Sequence, residues 1–229
     1  MEYLDLDLHS RCAAYGPSFK VQVAAYLERR SGPPVLVQLD SDTLFLGEPD
    51  LSPYEHAAAA RPVDVKGMCT AGTDDAFESY WQQLCSVCGV SYEAIPFLQT
   101  TVDRVMVRAS FNGGLVAVPR ARGIFAQTEV FFDRGVNAGL KPWAERGSIY
   151  TGAGEVPSEG GEFWGSSQAA LSLAITDSDG RARILPASHN VPLHFFDLLA
   201  MPEQPPVHIH YHWLLSGGEH SGRPCSTPD

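Results

Sequence analysis

The stretch that most restricts what this chain can fold into lies between residues 31 and 43. Ser31-Gly32-Pro33-Pro34 stops whatever precedes it, and Val35-Leu36-Val37-Gln38-Leu39 follows as a short apolar run. Bounded by breakers and too short for a helix, the run predicts a buried strand of a mostly parallel sheet. It leads directly into Asp40-Ser41-Asp42. Open α/β sheets bind ligands at the carboxyl ends of their strands, so two carboxylates leaving a strand there mark a candidate site.

Around this strand, helical and extended patterns alternate. From Ser18 the spacing is helical, with Phe19, Val23, Tyr26 and Leu27 on one face and Glu28-Arg29-Arg30 at its end. Residues 52–60 predict a short helix and residues 75–88 the clearest second one. Residues 103–109 alternate as a strand and pass through Ser110-Phe111-Asn112-Gly113-Gly114 into an apolar strand over 115–118. Residues 123–145 read as helical with a loop in the middle, and 147–162 as a Gly-, Ser- and Pro-rich loop. An apolar helix over 163–176, a short strand over 183–186 and a strand over 207–215 follow. The 229 residues suffice for one sizeable core. The chain is read as a single α/β domain over residues 1–216, with a polar, disordered tail over 217–229.

Charge narrows the function classes. With 27 acidic and 16 basic residues the formal net charge is -11. Such a field repels phosphate backbones, so nucleic acid and anionic membranes are not expected partners. An acidic chain that binds an anionic ligand needs a bridging cation. No apolar run is long enough for a transmembrane helix, and no basic-then-apolar leader is recognised, so a cytoplasmic location is expected. The five cysteines include Cys85-x-x-Cys88 near the end of a helical pattern. Without a second Cys-x-x-Cys or a strand-to-helix context, buried thiols are the expectation.

Three clusters carry chemistry. Asp40 and Asp42 can both reach one divalent ion, whose open positions would take diphosphate oxygens; the plain alternative is a solvated turn. His208, His210 and His212 alternate along a strand, which puts the three imidazoles on one face, either as ligands for a borderline ion such as Mn²⁺ or as a polar surface. Asn112-Gly113-Gly114 lets backbone approach a ligand closely, or simply turns a hairpin. In Phe163-Trp164-Gly165-Ser166-Ser167-Gln168, Trp164 could stack on a sugar or sit in the core, and Gln168 could reach the cleft from a helix's first turn.

In this order, the elements resemble the GT-A nucleotide-diphospho-sugar transferases, closest to the glycogenin-like and galactosyltransferase-like glycosyltransferase family 8. Val35–Thr43 is similar to that family's strand and Asp-x-Asp, and Phe111-Asn112-Gly113-Gly114-Leu115 to its Asn-Gly-Gly segment. Residues 163–171 are similar to its Asp-Gln helix, with Ser167 where many members carry Asp. Leu185-Pro186 with Asn190, and Ile209-His210-Tyr211, resemble its later segments. The resemblance spans residues 18–213. It implies a GT-A-like fold with a mixed, mostly parallel sheet flanked by helices, and Mn²⁺ (or Mg²⁺) held by Asp40, Asp42 and His210. It also implies a UDP-sugar or related donor contacted by Lys20, Asn112, Gly113, Gly114 and Trp164, with Gln168 at the reacting centre. The acceptor would be a hydroxyl of a sugar, lipid or protein. Asp133, Glu159 and Glu162 are candidate substitutes for the carboxylate absent at Ser167. Family members have on the order of 80–100 residues before Asp-x-Asp, the size of a mononucleotide-binding half; here 39 residues precede Asp40. That implies an abbreviated nucleotide-binding half, completed by more chain or in a homo-oligomer. The competing readings are a sugar-nucleotide-binding domain without catalysis and a cupin-type metal oxygenase built on His208-x-His210.

Overall fold

Pro17, whose ring presets a helical φ and lacks the N–H that a first turn leaves unpaired, opens the first helix in a computed structural model that describes residues 12–144, 148–151, 154–178, 181–198 and 204–212. This helix, α1, runs Pro17–Arg29 and is followed by β1 (Val35–Leu39), β2 (Thr43–Phe45), β3 (Ala58–Pro62), α2 (Glu78–Cys88), β4 (Phe97–Gln99) and β5 (Met106–Arg108). Next come β6 (Phe111–Pro119), α3 (Ile124–Asn137), β7 (Ser148–Thr151), β8 (Gly154–Pro157), α4 (Ser158–Glu162) and α5 (Ser166–Asp177). The last elements are β9 (Ala182–Ile184), β10 (Val191–Pro192) and β11 (His208–His210).

The main sheet has the order β1-β6-β3-β9, and α1, α3 and α5 pack together along one of its faces. Leu36, Ala58, Ala60, Val116 and Val118 point into that packed layer with Phe125, Phe131, Leu171 and Ile175. On the other face a smaller cluster holds Ala59, Leu115, Ala117 and Leu185. A second sheet, β10-β11-β2, grows from the end of β1, since β2 begins one residue after Asp42. β11 runs antiparallel to β2 with His210 opposite Thr43, so strand pairing carries residues 208–210 to the Asp40–Asp42 turn.

The expected mixed α/β architecture with flanking helices is present, but the sheet is not mostly parallel. β1–β6, β3–β6 and β11–β2 are antiparallel, and of these two sheets' pairings only β3–β9 and β10–β11 are parallel. Nor is β1 buried on both faces. It is an edge strand among the described residues, and its Val37 and Leu39 are exposed. A β-branched run reports extended backbone; whether a further strand covers it is a matter of partners that the run does not contain.

Residues 52–60 do not form the expected helix. Ala58, Ala59 and Ala60 instead lie fully buried in β3, the strand between β6 and β9. Alanine favours helix in isolation, but its small side chain lets helices close tightly on a central strand, and tertiary packing overrides the propensity. The buried face of α1 also differs, comprising Ser18, Val21, Ala24, Ala25 and Glu28 rather than Phe19, Val23, Tyr26 and Leu27. Small residues there allow close approach of α3. The expected loop over 147–162 holds the β7–β8 hairpin and α4 within its described residues. Asn112-Gly113-Gly114 is neither hairpin turn nor inter-strand loop: it lies inside β6. The predicted tail over 217–229 lies outside the described residues.

Candidate metal and ligand site

The site is assembled at the carboxyl end of β1. The β1–β6 ladder extends one residue past the strand, where Asp40 N–H donates to the Gly114 carbonyl at 3.0 Å. Thr43 Oγ1–H donates back to the Asp40 carbonyl at 2.9 Å and closes the turn. From the second sheet, Tyr211 N–H donates to the Asp42 carbonyl at 3.0 Å. These bonds hold both aspartates beside the end of β11 (His208–His210).

His210 Nε2 lies 3.0 Å from Asp42 Oδ1 and 3.7 Å from Asp40 Oδ2. His212 Nδ1 lies 3.5 Å from Asp42 Oδ2. The two imidazoles stack, with centroids 3.7 Å apart and planes at 21°. His194 meets His212 edge-on at 4.0 Å. One ligand atom from each of Asp42, His210 and His212 falls within 4.8 Å of the others. Metal–ligand bonds of about 2.0–2.2 Å put two ligand atoms up to about 4.4 Å apart, so this donor set fits a divalent ion with little closure. Burial and the neighbouring His210 lower His212 to about 4, and burial lowers His194 to about 3, so both are neutral at neutral pH. A neutral imidazole is the form that binds metal.

His208 takes no part. It is fully buried, accepts a bond from Asn190 N–H through Nδ1 at 3.2 Å and packs on Phe45 with ring centroids 4.5 Å apart. Hence the strand pair His208-x-His210, on which the cupin reading rested, is not the pair that converges. The imidazoles that come together are His210 and His212, the latter turned back just beyond the strand at φ 48°.

Asp40 has a different partner from Asp42. Its Oδ1 accepts a bond from Lys20 Nζ, which also donates to the Gly113 carbonyl at 3.2 Å. Gln38 Nε2–H reaches the same carbonyl at 3.1 Å, and Gly113 N–H points at Gln168 Oε1 at 3.4 Å. Thus Gly113 joins α1, β1, β6 and α5 at one point. Gly114 serves the histidine: a Cβ there would meet His210 Nδ1 at 2.8 Å. Within β6 the Asn112 side chain accepts from Gly114 N–H at 2.8 Å and donates to Asp64 Oδ2 at 2.7 Å.

A cavity of about 490 Å³ opens over these groups, lined by Lys20, Asp40, Asp42, Asn112, Gln168 and His210, with Trp164 on its wall. Trp164 is both wall and packing, since it meets Tyr15 edge-on at 6.1 Å. Gly113 lines a small adjoining pocket of about 40 Å³. The candidate carboxylates Asp133 and Glu162 do not line the cavity. Asp133 sits on α3, and Glu162 at the end of α4 is engaged by Lys141 Nζ at 2.6 Å. A carboxylate that follows a glycine-rich sequence need not face the cleft when a lysine on a neighbouring segment draws it away. Ser167, which stands where a carboxylate was missed, shares a 2.8 Å hydrogen bond with Tyr15 Oη.

Asp64 is a site residue that the sequence pattern does not point to. It lines the cavity, is buried, accepts from Thr101 Oγ1–H at 2.8 Å as well as from Asn112, and burial pushes its carboxyl upward. Its signal was the one that singled out Asp40, a carboxylate at the end of a strand, and it was hidden because β3 reads as a helix. Arg61, also on β3, is buried and donates to the His189 and Asn190 carbonyls at 2.7 and 3.3 Å, which pins the turn leading into β10. The buried-thiol reading holds for Cys85 and Cys88: Cys12, Cys69, Cys85 and Cys88 are all buried, and burial raises Cys85 to about 12 and Cys88 to about 11. No family model, curated protein or solved structure matches the chain.

Proposed function

We propose that this protein is a metal-dependent glycosyltransferase that moves a sugar from a nucleotide-diphosphate donor, a UDP-sugar by preference, to a hydroxyl acceptor. The observation that carries the reading is convergence. Asp40 and Asp42, Asn112, Gln168 and His210 come from four separate segments and line one cavity. A bound Mn²⁺ or Mg²⁺ would neutralise the charge that develops on a leaving diphosphate. Asp42 and His210 would hold it, with Asp40 beside them. Lys20, held on the cavity wall by Asp40 and the Gly113 carbonyl, would turn its remaining N–H to a phosphate oxygen. Asn112 is oriented by Asp64 and Gly114, which suits it to a fixed sugar hydroxyl. Gln168, aimed by Gly113, would orient the reacting centre without taking a proton. Trp164 offers an apolar wall to a sugar face.

A second reading, a sugar-nucleotide-binding domain without catalysis, is favoured by one observation: Asp133 and Glu162 lie outside the cavity, so it has fewer candidate bases than expected. Thermal unfolding with UDP or UDP-sugars and Mn²⁺, followed by a transfer and hydrolysis assay, separates the readings. A rise in Tm that needs both nucleotide and metal, with turnover, is expected for the transferase. Binding without turnover supports the second reading. No nucleotide effect at all would sink both.

A further inference from the structure

Two features of the cluster do not fit an Asp-Asp-His metal centre, and a third fixes the histidine that any such centre shares. Asp40 Oδ1 is already engaged by the Lys20 ammonium, and its Oδ2 is farther from His210 Nε2, at 3.7 Å, than Asp42 Oδ1 is at 3.0 Å. A cation bound to Asp40 would compete with that ammonium. In contrast, His212 has no strand geometry to keep it near. It reaches the site through a non-glycine φ of 48°, a conformation held only where surroundings over-determine it. The result is a ring stacked on His210 with Nδ1 turned to Asp42 Oδ2 at 3.5 Å. Finally, His210 has no freedom to turn elsewhere: it is 3 % exposed, and Gly114 leaves only the space of a missing Cβ behind it.

We infer that the resident ion is held by Asp42, His210 and His212, two imidazoles and one carboxylate, and that Lys20 keeps Asp40 out of the coordination shell. This deepens the transferase reading and rests on its metal centre, but not on sugar transfer. The donor chemistry sets the ion class. With Asp40 balanced by Lys20, the ligand set carries one negative charge and two nitrogen donors. Imidazole suits ions such as Co²⁺, Zn²⁺ and Fe²⁺, later in the divalent series than Mn²⁺ or firmer in their preference for nitrogen. Mg²⁺ seeks oxygen ligands in a near-ideal octahedron and gives up its water reluctantly, so it gains little here. Three protein ligands leave positions open for substrate oxygens, and Asp40 holds α1 against the turn instead of the metal.

The test is metal binding without nucleotide. Calorimetric titration of the metal-free protein with Co²⁺, Zn²⁺ and Mg²⁺ should show Co²⁺ and Zn²⁺ binding at least about tenfold more tightly than Mg²⁺. His212→Ala should weaken Co²⁺ by at least about tenfold, the smallest loss typical even for a residue that only supports a ligand, and by more than Asp40→Asn, which removes a charge beside the ion but no ligand. A measurement on the unaltered chain guards against a variant that fails to fold. The Co²⁺-loaded protein should show two hyperfine-shifted, exchangeable imidazole N–H resonances in its proton NMR spectrum. A single such resonance, equal affinity for Mg²⁺, or a loss at Asp40→Asn that His212→Ala does not share would overturn the assignment. If Co²⁺ binds as described and UDP does not, the transferase reading fails and this centre stands. If UDP and Mn²⁺ stabilise the protein while Co²⁺ shows one imidazole, the reverse holds.

Discussion

Single residues in this site work through the space and charge around them. Gly114 is the clearest case, because its missing side chain is where the His210 imidazole sits. Gly114→Ala would put a Cβ 2.8 Å from His210 Nδ1 and 2.9 Å from Cε1, closer than atoms of these types pack. The ring or the β6 backbone must shift, and overpacking of this kind costs about 1–3 kcal/mol. The expected outcome is a lower urea midpoint together with at least about tenfold weaker Co²⁺ binding, as for loss of a group that orients a metal ligand. A variant as stable as the parent that binds Co²⁺ equally well would show that the glycine is there for another reason. Asn112 and Asp64 make the same point with hydrogen bonds. Each satisfies the other, so a buried carboxyl is kept within reach of the cavity without an unpaired group beside it.

At the scale of elements, helix ends are completed by side chains from other helices. α3 (Ile124–Asn137) has Gly123 as its N-cap, and no side-chain bond from that residue satisfies the first turn. The Glu28 carboxylate of α1 does this instead, accepting from Ala126 N–H at 2.7 Å. Burial raises the Glu28 carboxyl above its usual range, so the charge is held at some cost and the hydrogen bond carries most of the benefit. Glu28→Ala should therefore lower stability by about 1 kcal/mol, in the range for a lost N-cap. Glu28→Gln, which keeps an acceptor and removes the buried charge, should lose less. Denaturant unfolding of the two variants checks the order, and equal losses would contradict it. The same logic explains why α1 buries Glu28 and small residues while Tyr26 stays at the surface with Arg30.

For the molecule as a whole, the second sheet and its histidines make stability depend on pH. His208 is fully buried and lowered to about 4, mainly by burial, from an ordinary 6.5. In the unfolded chain His208 takes up its proton near 6.5, whereas the folded chain resists until about 4. Its contribution is thus whole above 6.5 and is lost as pH falls through that window. Asp64, raised by burial, acts in the opposite sense, so one curve cannot isolate the histidine. His208→Asn keeps an acceptor for Asn190 N–H and does not titrate. Relative to it, the metal-free parent should lose up to about 1.4 kcal/mol of stability per pH unit between 6.5 and 4, and no more below. Parallel stability curves for the two proteins would rule this out.

Much of the candidate site's placement was legible in residue order. The breaker-bounded run ending in Asp40-Ser41-Asp42 is a strand ending in a carboxylate turn, Asn112 and Gln168 line the cavity it opens into, and His210 comes to Asp42. These follow from local rules: breakers end elements, periodicity gives their type, and carboxylates gather at strand ends. What needed the tertiary structure were choices between partners. Ala58–Pro62 became a buried strand because β6 and β9 enclose it, and that change brought Asp64 into the site. Among the three alternating histidines, period two makes His208 and His210 alike, yet Asn190 captures one and Asp42 the other. His212 joins through a backbone conformation that no spacing encodes. Lys20, twenty residues before Asp40 in the chain, gives two aspartates one residue apart different partners. Sequence determines which groups are available and on which elements; long-range contacts determine which group meets which, because each contact depends on a second segment that local pattern does not contain.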